Sequence, residues 1–131
     1  MATIKSFEEL EIWKKARILA KKIYQLTFKE PISKDFRLKD QMRGSCGAIM
    51  DNIAEGFDRG SRLEFINSLG YAKGETGELK SQLYRCLDAE YISENVFNEL
   101  YKDTDEVAKM ISGFIEYLNK SDIRGVKFKN R

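Results

Sequence analysis

Two glutamates at helical spacing, Glu75 and Glu78, are the residues of this chain whose types best suit metal chemistry. Carboxylates three residues apart face the same side of a helix, and some four-helix bundles use such carboxylates on facing helices to hold two iron ions. Those centres also take histidine nitrogens, and the 131-residue sequence contains no histidine. Without histidine, Ser-His and Cys-His catalysis are excluded as well. The sequence therefore favours solvated or helix-bridging carboxylates, and it predicts no metal and no cofactor.

A second polar pair, Asn52 and Glu55, could act as a catalytic dyad or as a polar contact between helices or subunits. No Gly-x-x-x-x-Gly-Lys or Gly-x-Gly-x-x-Gly motif accompanies the pair, so the sequence does not indicate a nucleotide site. One face of this segment carries only small or polar residues, which would let another helix approach closely: Gln41, Gly44, Ser45, Ala48, Asn52 and Glu55. This pattern favours the polar contact, which specifies packing and assembly rather than catalysis.

Three glycines, Gly70, Gly74 and Gly77, lie beside a seven-residue apolar repeat in the next segment. The repeat alternates spacings of four and three, which is typical of a coiled-coil-like seam: Phe65, Leu69, Ala72, Thr76, Leu79, Leu83 and Cys86. Each glycine costs up to about 1 kcal/mol of helix propensity relative to alanine. We therefore expect a neighbouring backbone to pack closely against these glycines and to offset that cost.

Capping signals and apolar periodicity divide the chain into four predicted helices. Ser6 and Ser61 each stand three residues before a glutamate, which is the capping-box pattern, and Ser93 is a further helix cap. The predicted limits are Ser6 to about Phe28, Asp35–Leu38 to Gly56, Ser61 to Ala89, and Ser93 to about Asn119. The second helix is expected to end at Gly56 because a left-handed glycine commonly follows the last helical residue.

Short connections between these helices predict an all-α fold, an antiparallel up-and-down four-helix bundle. A single proline and a hydrophobic content of 42% fit one helical domain with a buried core. We expect the bundle to span residues 1–119 and residues 120–131 to form a basic C-terminal tail.

Composition limits the classes of function that remain. No apolar run approaches the roughly 18 residues that a membrane span needs, and the N-terminal residues lack the apolar core of a signal peptide. We therefore expect a soluble, cytoplasmic protein without membrane contact. Cys46 and Cys86 fit buried filling residues, because they lack the close spacing of a zinc or redox site. The net charge is only +2, so any nucleic-acid site must be local.

Local groups of basic residues are the remaining candidates for binding. They lie on the first helix, near the start of the second and in the joint before the third, where they could contact phosphates: Lys14, Arg17, Lys21, Lys22, Arg43, Arg59 and Arg62. A solvated helix face explains the same pattern. No aromatic residues alternate with these charges as a base-stacking platform requires, so binding would be directed at the nucleic-acid backbone.

Several separated motifs follow one another along the chain: Phe7-Glu-Glu-Leu-Glu-Ile-Trp13, then Leu38, Gln41 and Arg43, then Asn52-Ile-Ala-Glu-Gly56 with Ser61, Glu64 and Phe65. A third-helix pattern continues them with Ala72, Gly74, Glu78-Leu79, Leu83 and Tyr91-Ile92. In this order the motifs resemble a family of small bacterial proteins first noticed as reading frames within intervening sequences of large-subunit ribosomal RNA genes.

The resemblance implies an up-and-down four-helix bundle that assembles as a ring or barrel of five subunits. The family is similar to the accessory variability determinant proteins of diversity-generating retroelements, which form basic pentameric barrels that engage RNA and a reverse transcriptase. The resulting hypothesis is a non-enzymatic homo-oligomer, a homopentamer, that binds structured RNA or an RNA–protein complex. The alternative is a protein–protein assembly scaffold without nucleic-acid binding. A carboxylate metalloenzyme is disfavoured by the missing histidines.

Overall fold

The computed structural model describes residues 3–120, and this part of the chain is all-α. The helices are α1 (Glu11–Thr27), α2 (Phe36–Asp58), α3 (Arg62–Asp88) and α4 (Glu94–Lys120). Two short 3-10 turns, Phe7–Glu9 and Ile32–Lys34, precede α1 and α2. The predicted fold class is therefore confirmed. Apart from Lys120, the predicted basic tail lies outside the described residues.

The four helices pack in chain order around one core. α1 contacts α2, α2 contacts α3, α3 contacts α4, and α4 returns to α1. All seven residues of the predicted heptad repeat on α3 are buried, which confirms the seam: Phe65, Leu69, Ala72, Thr76, Leu79, Leu83 and Cys86. Within residues 3–120 no helix combines the length and the apolar character needed to cross a membrane.

Side-chain caps begin three of the helices. The Ser61 hydroxyl accepts a hydrogen bond from the Glu64 amide at 3.4 Å, and Ser93 accepts one from Val96 at 3.1 Å, so both predicted caps are confirmed. Asp35 caps α2 by accepting from the amide of Leu38 at 3.2 Å. Each cap satisfies an amide that has no partner within its helix.

The first predicted helix start is wrong by five residues. Glu9 does bond back to the Ser6 amide at 3.1 Å, but this capping box closes the 3-10 turn rather than α1. Leu10 then takes an extended conformation and is buried, while the ring of Phe7 packs edge-on against Trp13 at 5.0 Å. Burial of these apolar groups folds the turn back over the start of α1 and outweighs the local signal for one continuous helix.

The predicted helix end at Gly56 is also wrong. α2 continues to Asp58, and the glycine with left-handed backbone is Gly60, whose φ is +76°. Gly56 is instead buried in the contact between α2 and α3. A Cβ at this position would lie 2.5 Å from the Cβ of Ser68 and 3.0 Å from Cδ1 of Phe65. Glycine is needed here for close helix packing, not for backbone conformation.

The three α3 glycines have the opposite environment. Gly70, Gly74 and Gly77 are exposed, and a Cβ on any of them would meet no atom of the described subunit within 4 Å. The same holds for Gly44 on α2. The expectation of a close backbone contact at the α3 glycines is therefore wrong within one subunit, because α3 buries its heptad seam and leaves this face outward. A close contact with another copy stays a prediction.

Candidate nucleic-acid interface

Two of the seven predicted phosphate-binding residues form ion pairs that link neighbouring elements of the bundle. Lys22 Nζ on α1 lies 2.7 Å from Asp103 Oδ2 and 3.4 Å from Glu99 Oε2 on α4. The hydrogen bond with Asp103 raises the pKa of Lys22. Arg59 pairs with Glu55 at 3.1 Å and reaches Glu64 at 3.7 Å. These two cations hold elements of the bundle together and are weak candidates for phosphate contacts.

Two further arginines are partly buried and bonded within the subunit. Arg62 Nη1 donates to the backbone oxygen of Leu118 at 3.0 Å, which ties the start of α3 to the end of α4. Arg43 Nε donates to Thr27 Oγ1 at 2.8 Å. Its guanidinium carbon also lies 4.9 Å from the ring centroid of Tyr24 and 4.7 Å from that of Phe28.

The remaining three residues, Lys14, Arg17 and Lys21, line one groove on the outer side of α1 and α2. Its volume is about 490 Å³, and Ile18, Ala20, Tyr24 and Met50 complete its lining. All three cations are exposed. Lys14 makes a surface ion pair with Glu11 at 3.2 Å, and Arg17 lies 5.8 Å from the Trp13 ring centroid, both within α1. We call this surface the α1–α2 groove, and it gathers three of the seven predicted basic residues.

The aromatic rings beside Arg43 are the feature that sequence patterns did not indicate. Tyr24 and Phe28 lie four residues apart at the end of α1, and their i, i+4 spacing is the one signal in the sequence. The arginine comes from α2, so no alternation of charge and ring is visible along the chain. Helix packing instead brings the rings of α1 to the arginine of α2, a contact between elements that a pattern along one helix does not show.

A second, more acidic groove separates α2 from α3. It encloses about 470 Å³ and is lined by Gln41, Gly44, Ser45, Ala48, Glu75, Glu78, Ser81, Gln82 and Arg85. Gln82 Nε2 donates to Ser45 Oγ at 3.0 Å, and Arg85 donates to Gln41 Oε1 at 2.8 Å. These bonds link α2 to α3 through the polar face that the sequence indicated.

The predicted pair Asn52 and Glu55 does not form a joint site in the subunit. The amide of Asn52 donates to the backbone oxygen of Ala48 at 2.9 Å, while Glu55 pairs with Arg59. Both residues line a shallow surface depression with Asn67 and Tyr71 of α3. Each therefore has a partner of its own, and a polar contact to another copy stays a prediction.

Glu75 and Glu78 are the other carboxylates considered for chemistry. Burial of Glu75, followed by the charge and hydrogen bonding of Glu78, raises the pKa of Glu75 above its usual value of 4.5. Within residues 3–120, no three His, Cys, Asp or Glu side chains come together as a metal site. Glu75 is partly buried and Glu78 is exposed, and burial first, then the neighbouring charge, disfavours the ionised form of Glu75.

The raised pKa of Glu75 makes the Glu75→Gln variant a test of pH-dependent stability. A carboxyl whose pKa is raised in the folded protein stabilises the fold while it is protonated. This contribution to stability is fully present below the ordinary value of about 4.5, which applies to the unfolded chain, and it is lost as pH rises through the folded pKa. Glutamine carries no charge at any pH. We therefore expect Glu75→Gln to raise Tm at pH 7 by no more than a few degrees, and the gain to vanish on acidification. Thermal melts at several pH values measure it.

Asp105→Asn is a control for which we expect the opposite change of Tm at pH 7. Lys80 and Lys109 lie 2.7 and 3.0 Å from the Asp105 carboxylate, and hydrogen bonding to Lys80 above all lowers its pKa. The ionised Asp105 carboxylate therefore contributes to folding stability above its unfolded pKa, and this contribution is lost as pH falls through the folded pKa. Asparagine cannot form these ion pairs, so Asp105→Asn should lower Tm at pH 7. A Glu75→Gln variant that melts at or below the parent's Tm at pH 7 would contradict the raised pKa of Glu75.

Comparisons with known proteins place this geometry in a family. Residues 8–113 match the family described as 23S rRNA-intervening sequence protein. A solved structure of a protein with unknown function from the S23 ribosomal protein family of Bacteroides thetaiotaomicron is similar in fold, with a TM-score of 0.75 and 27% identity. The alignment covers 80% of this chain and 95% of that chain, whereas a comparison with curated proteins gave no match. Neither description indicates an enzyme. Since the match includes nearly all of the described bundle, the chain belongs to the 23S rRNA-intervening sequence protein family.

Proposed function

We propose that this protein is a non-enzymatic, homo-oligomeric helical bundle of the cytoplasm that binds structured RNA through the α1–α2 groove. The observation that carries the proposal is the gathering of Lys14, Arg17 and Lys21 along one exposed side of α1. The link of the family to ribosomal RNA intervening sequences supports RNA as the partner. The other four candidate cations are held by carboxylates, backbone oxygens or hydroxyls of the subunit itself.

The chemistry of the groove favours contacts with phosphates. Three cations within about two helical turns present a charged strip about 10 Å long, which spans a few phosphates of an RNA backbone. The strip has no pattern of amides or carboxylates that would read base edges, so it positions RNA without specifying its sequence. Binding should therefore depend steeply on salt.

An assembly of several copies would carry several α1–α2 grooves, each a weak phosphate-binding site. The resemblance implies a ring of five subunits, and the open glycine face of α3 has no close neighbour within the described subunit. Copies joined through that face would each carry one α1–α2 groove. An RNA that contacts two grooves at once binds more tightly than either groove alone allows.

The glycine face also favours a second candidate function, a scaffold whose partner is another protein. In that case the charges would only keep the protein soluble. Co-purification of a protein partner that survives nuclease treatment, together with no retention of RNA, would support the scaffold over the RNA-binding function.

A triple substitution in the groove tests RNA binding. We expect the variant Lys14→Gln, Arg17→Gln, Lys21→Gln to lose about 10- to 100-fold in affinity for a structured RNA. The slope of log affinity against log salt should fall by roughly 2 to 3, because each lost phosphate contact removes about 0.9. Filter binding at two salt concentrations measures both quantities.

The matched control replaces three exposed lysines of α4, Lys102, Lys109 and Lys120, by glutamine. This variant loses the same formal charge, so it corrects for any effect of net charge. Equal affinities of the two triple variants would contradict the α1–α2 groove as the site. Failure of the unaltered protein to retain RNA even at low salt would overturn the function itself.

A further inference from the structure

Arg43 lies between two aromatic rings that are themselves exposed. Its guanidinium carbon is within 5 Å of the Tyr24 and Phe28 ring centroids, and its Nε is fixed by the bond to Thr27 Oγ1. Phe28 is 69% exposed and Tyr24 is 41% exposed. The rings hold the arginine in place, yet most of the Phe28 ring is left in contact with water. An exposed phenylalanine beside a fixed cation is an available stacking surface.

A third exposed ring lies on the same side of α2 as Arg43. Phe36 is 68% exposed, and Lys39 Nζ lies 5.0 Å from its ring centroid. Phe36 precedes Arg43 by seven residues, or about two helical turns, so both lie on the same side of α2. We call Tyr24, Phe28, Phe36, Lys39 and Arg43 the aromatic–cation cluster. Tyr24 belongs to it and also lines the α1–α2 groove, so the cluster continues the groove at its end.

The charges around the cluster favour an anionic partner. Asp35 is occupied, because it accepts hydrogen bonds from the Leu38 amide and from the Tyr91 hydroxyl at 2.9 Å. Glu30 is paired with Lys34 at 2.9 Å. Asp40 follows Lys39 on α2, but within residues 3–120 neither Lys39 nor Arg43 forms an ion pair with a carboxylate. Rings that offer flat apolar faces beside such cations suit a ligand that has both flat bases and phosphates.

We propose that the aromatic–cation cluster binds unpaired nucleobases by stacking, while the α1–α2 groove binds the phosphates of the same strand. This proposal rests on the proposed RNA-binding function and adds the class of RNA: a helix that ends in a loop, bulge or single-stranded tail. The bases of a duplex are covered by their neighbours, so only unpaired bases can reach the rings. The preference should be for unpaired over paired RNA and not for one sequence.

The test uses the double variant Tyr24→Leu, Phe28→Leu, which keeps apolar bulk and removes the rings. Two labelled probes are compared by fluorescence anisotropy: a hairpin RNA with an unpaired loop and a blunt duplex RNA of the same stem sequence. We expect the double variant to lose about tenfold or more in affinity for the hairpin, the size of losing a stacked base, with duplex affinity unchanged. The groove triple variant should lose affinity for both probes.

A spectroscopic readout separates stacking from a change of shape. The fluorescent base 2-aminopurine, placed in the loop, should be quenched when the unaltered protein binds and not when the double variant binds. Tyr117→Leu is the matched control, since Tyr117 is 41% exposed on α4, away from the groove. Thermal melts of each variant establish that the bundle is folded.

Each outcome has a distinct meaning. Equal loss of hairpin and duplex affinity, or unchanged quenching in the double variant, would overturn stacking and leave the proposed function standing. Binding of the duplex as tightly as the hairpin by the unaltered protein would do the same. Retention of neither probe at low salt would overturn the proposed function. Loss of a nuclease-resistant protein partner from the double variant, with hairpin affinity unchanged, would assign the cluster to protein contact instead.

Discussion

Replacing Gly56 by alanine is expected to lower the free energy of unfolding by about 2 kcal/mol, although alanine is the better helix former. The added Cβ would lie 2.5 Å from the Cβ of Ser68, well inside contact distance, and Ser68 belongs to the helix α3 rather than to a flexible loop. Since neither atom can rotate away, α2 and α3 must separate along their shared face. Chemical denaturation followed by far-UV circular dichroism measures the change.

Two comparisons separate this contact from general effects of the substitution. Ser68→Gly removes the opposing Cβ, so adding Gly56→Ala to that variant should cost at least about 1 kcal/mol less than adding it to the parent. Gly113→Ala is the same substitution at an exposed helical site on α4 with no atom within 4 Å, and it should raise stability by up to about 1 kcal/mol. A Gly56→Ala variant as stable as Gly113→Ala would show that α2 and α3 do not approach this closely.

Most of the fold could be predicted from the sequence, because helix caps and apolar repeats depend on residues only a few positions apart. Ser61 and Ser93 cap their helices through bonds to the third residue onward, and the α3 heptad is buried throughout. Gly56 shows where such signals end. Its position after Ile53 suits a helix end equally well, and only the approach of Ser68 from the next helix shows that its role is packing. Local sequence cannot distinguish a glycine that ends a helix from one that admits a neighbour.

The candidate site was predicted in part for the same reason. Lys14, Arg17 and Lys21 share one side of α1 by spacing alone, and the structure keeps them together. Lys22 has similar spacing, but its partner Asp103 is 81 residues away in sequence. The rings around Arg43 likewise come from a different helix. Charge and ring positions can be read from a sequence, whereas pairing between helices depends on the packed bundle.

The arrangement of the helices separates the two surfaces that the proposed function needs. The basic residues of the α1–α2 groove lie on α1, and the open glycines lie on α3. The four helices form a square in which each contacts its two neighbours, and α1 and α3 lie at opposite corners. A contact between copies through α3 would therefore leave α1 accessible to RNA, so assembly and RNA binding should respond to different substitutions.

Gly74→Leu is expected to dissociate the proposed homo-oligomer without unfolding the subunit. The leucine side chain enters open space in a single subunit, since no described atom lies within 4 Å of a Cβ there. In an assembly that packs a helix closely on this face, the same side chain would overlap the neighbouring backbone. Native mass spectrometry or sedimentation should then find a species near the 15.2 kDa subunit mass, with helical content unchanged.

Gly113→Leu on α4 is the matched control, because Gly113 is also exposed and helical with no atom within 4 Å. It should retain the parent's assembled mass, as should single Lys→Ala changes on the surface. Assembly also adds to apparent stability by mass action, so the Tm of the parent should rise with protein concentration and that of Gly74→Leu should not. If Gly74→Leu keeps the parent's mass and concentration dependence, the α3 glycines do not form the contact between copies, and the helix-propensity cost of three exposed glycines needs another cause.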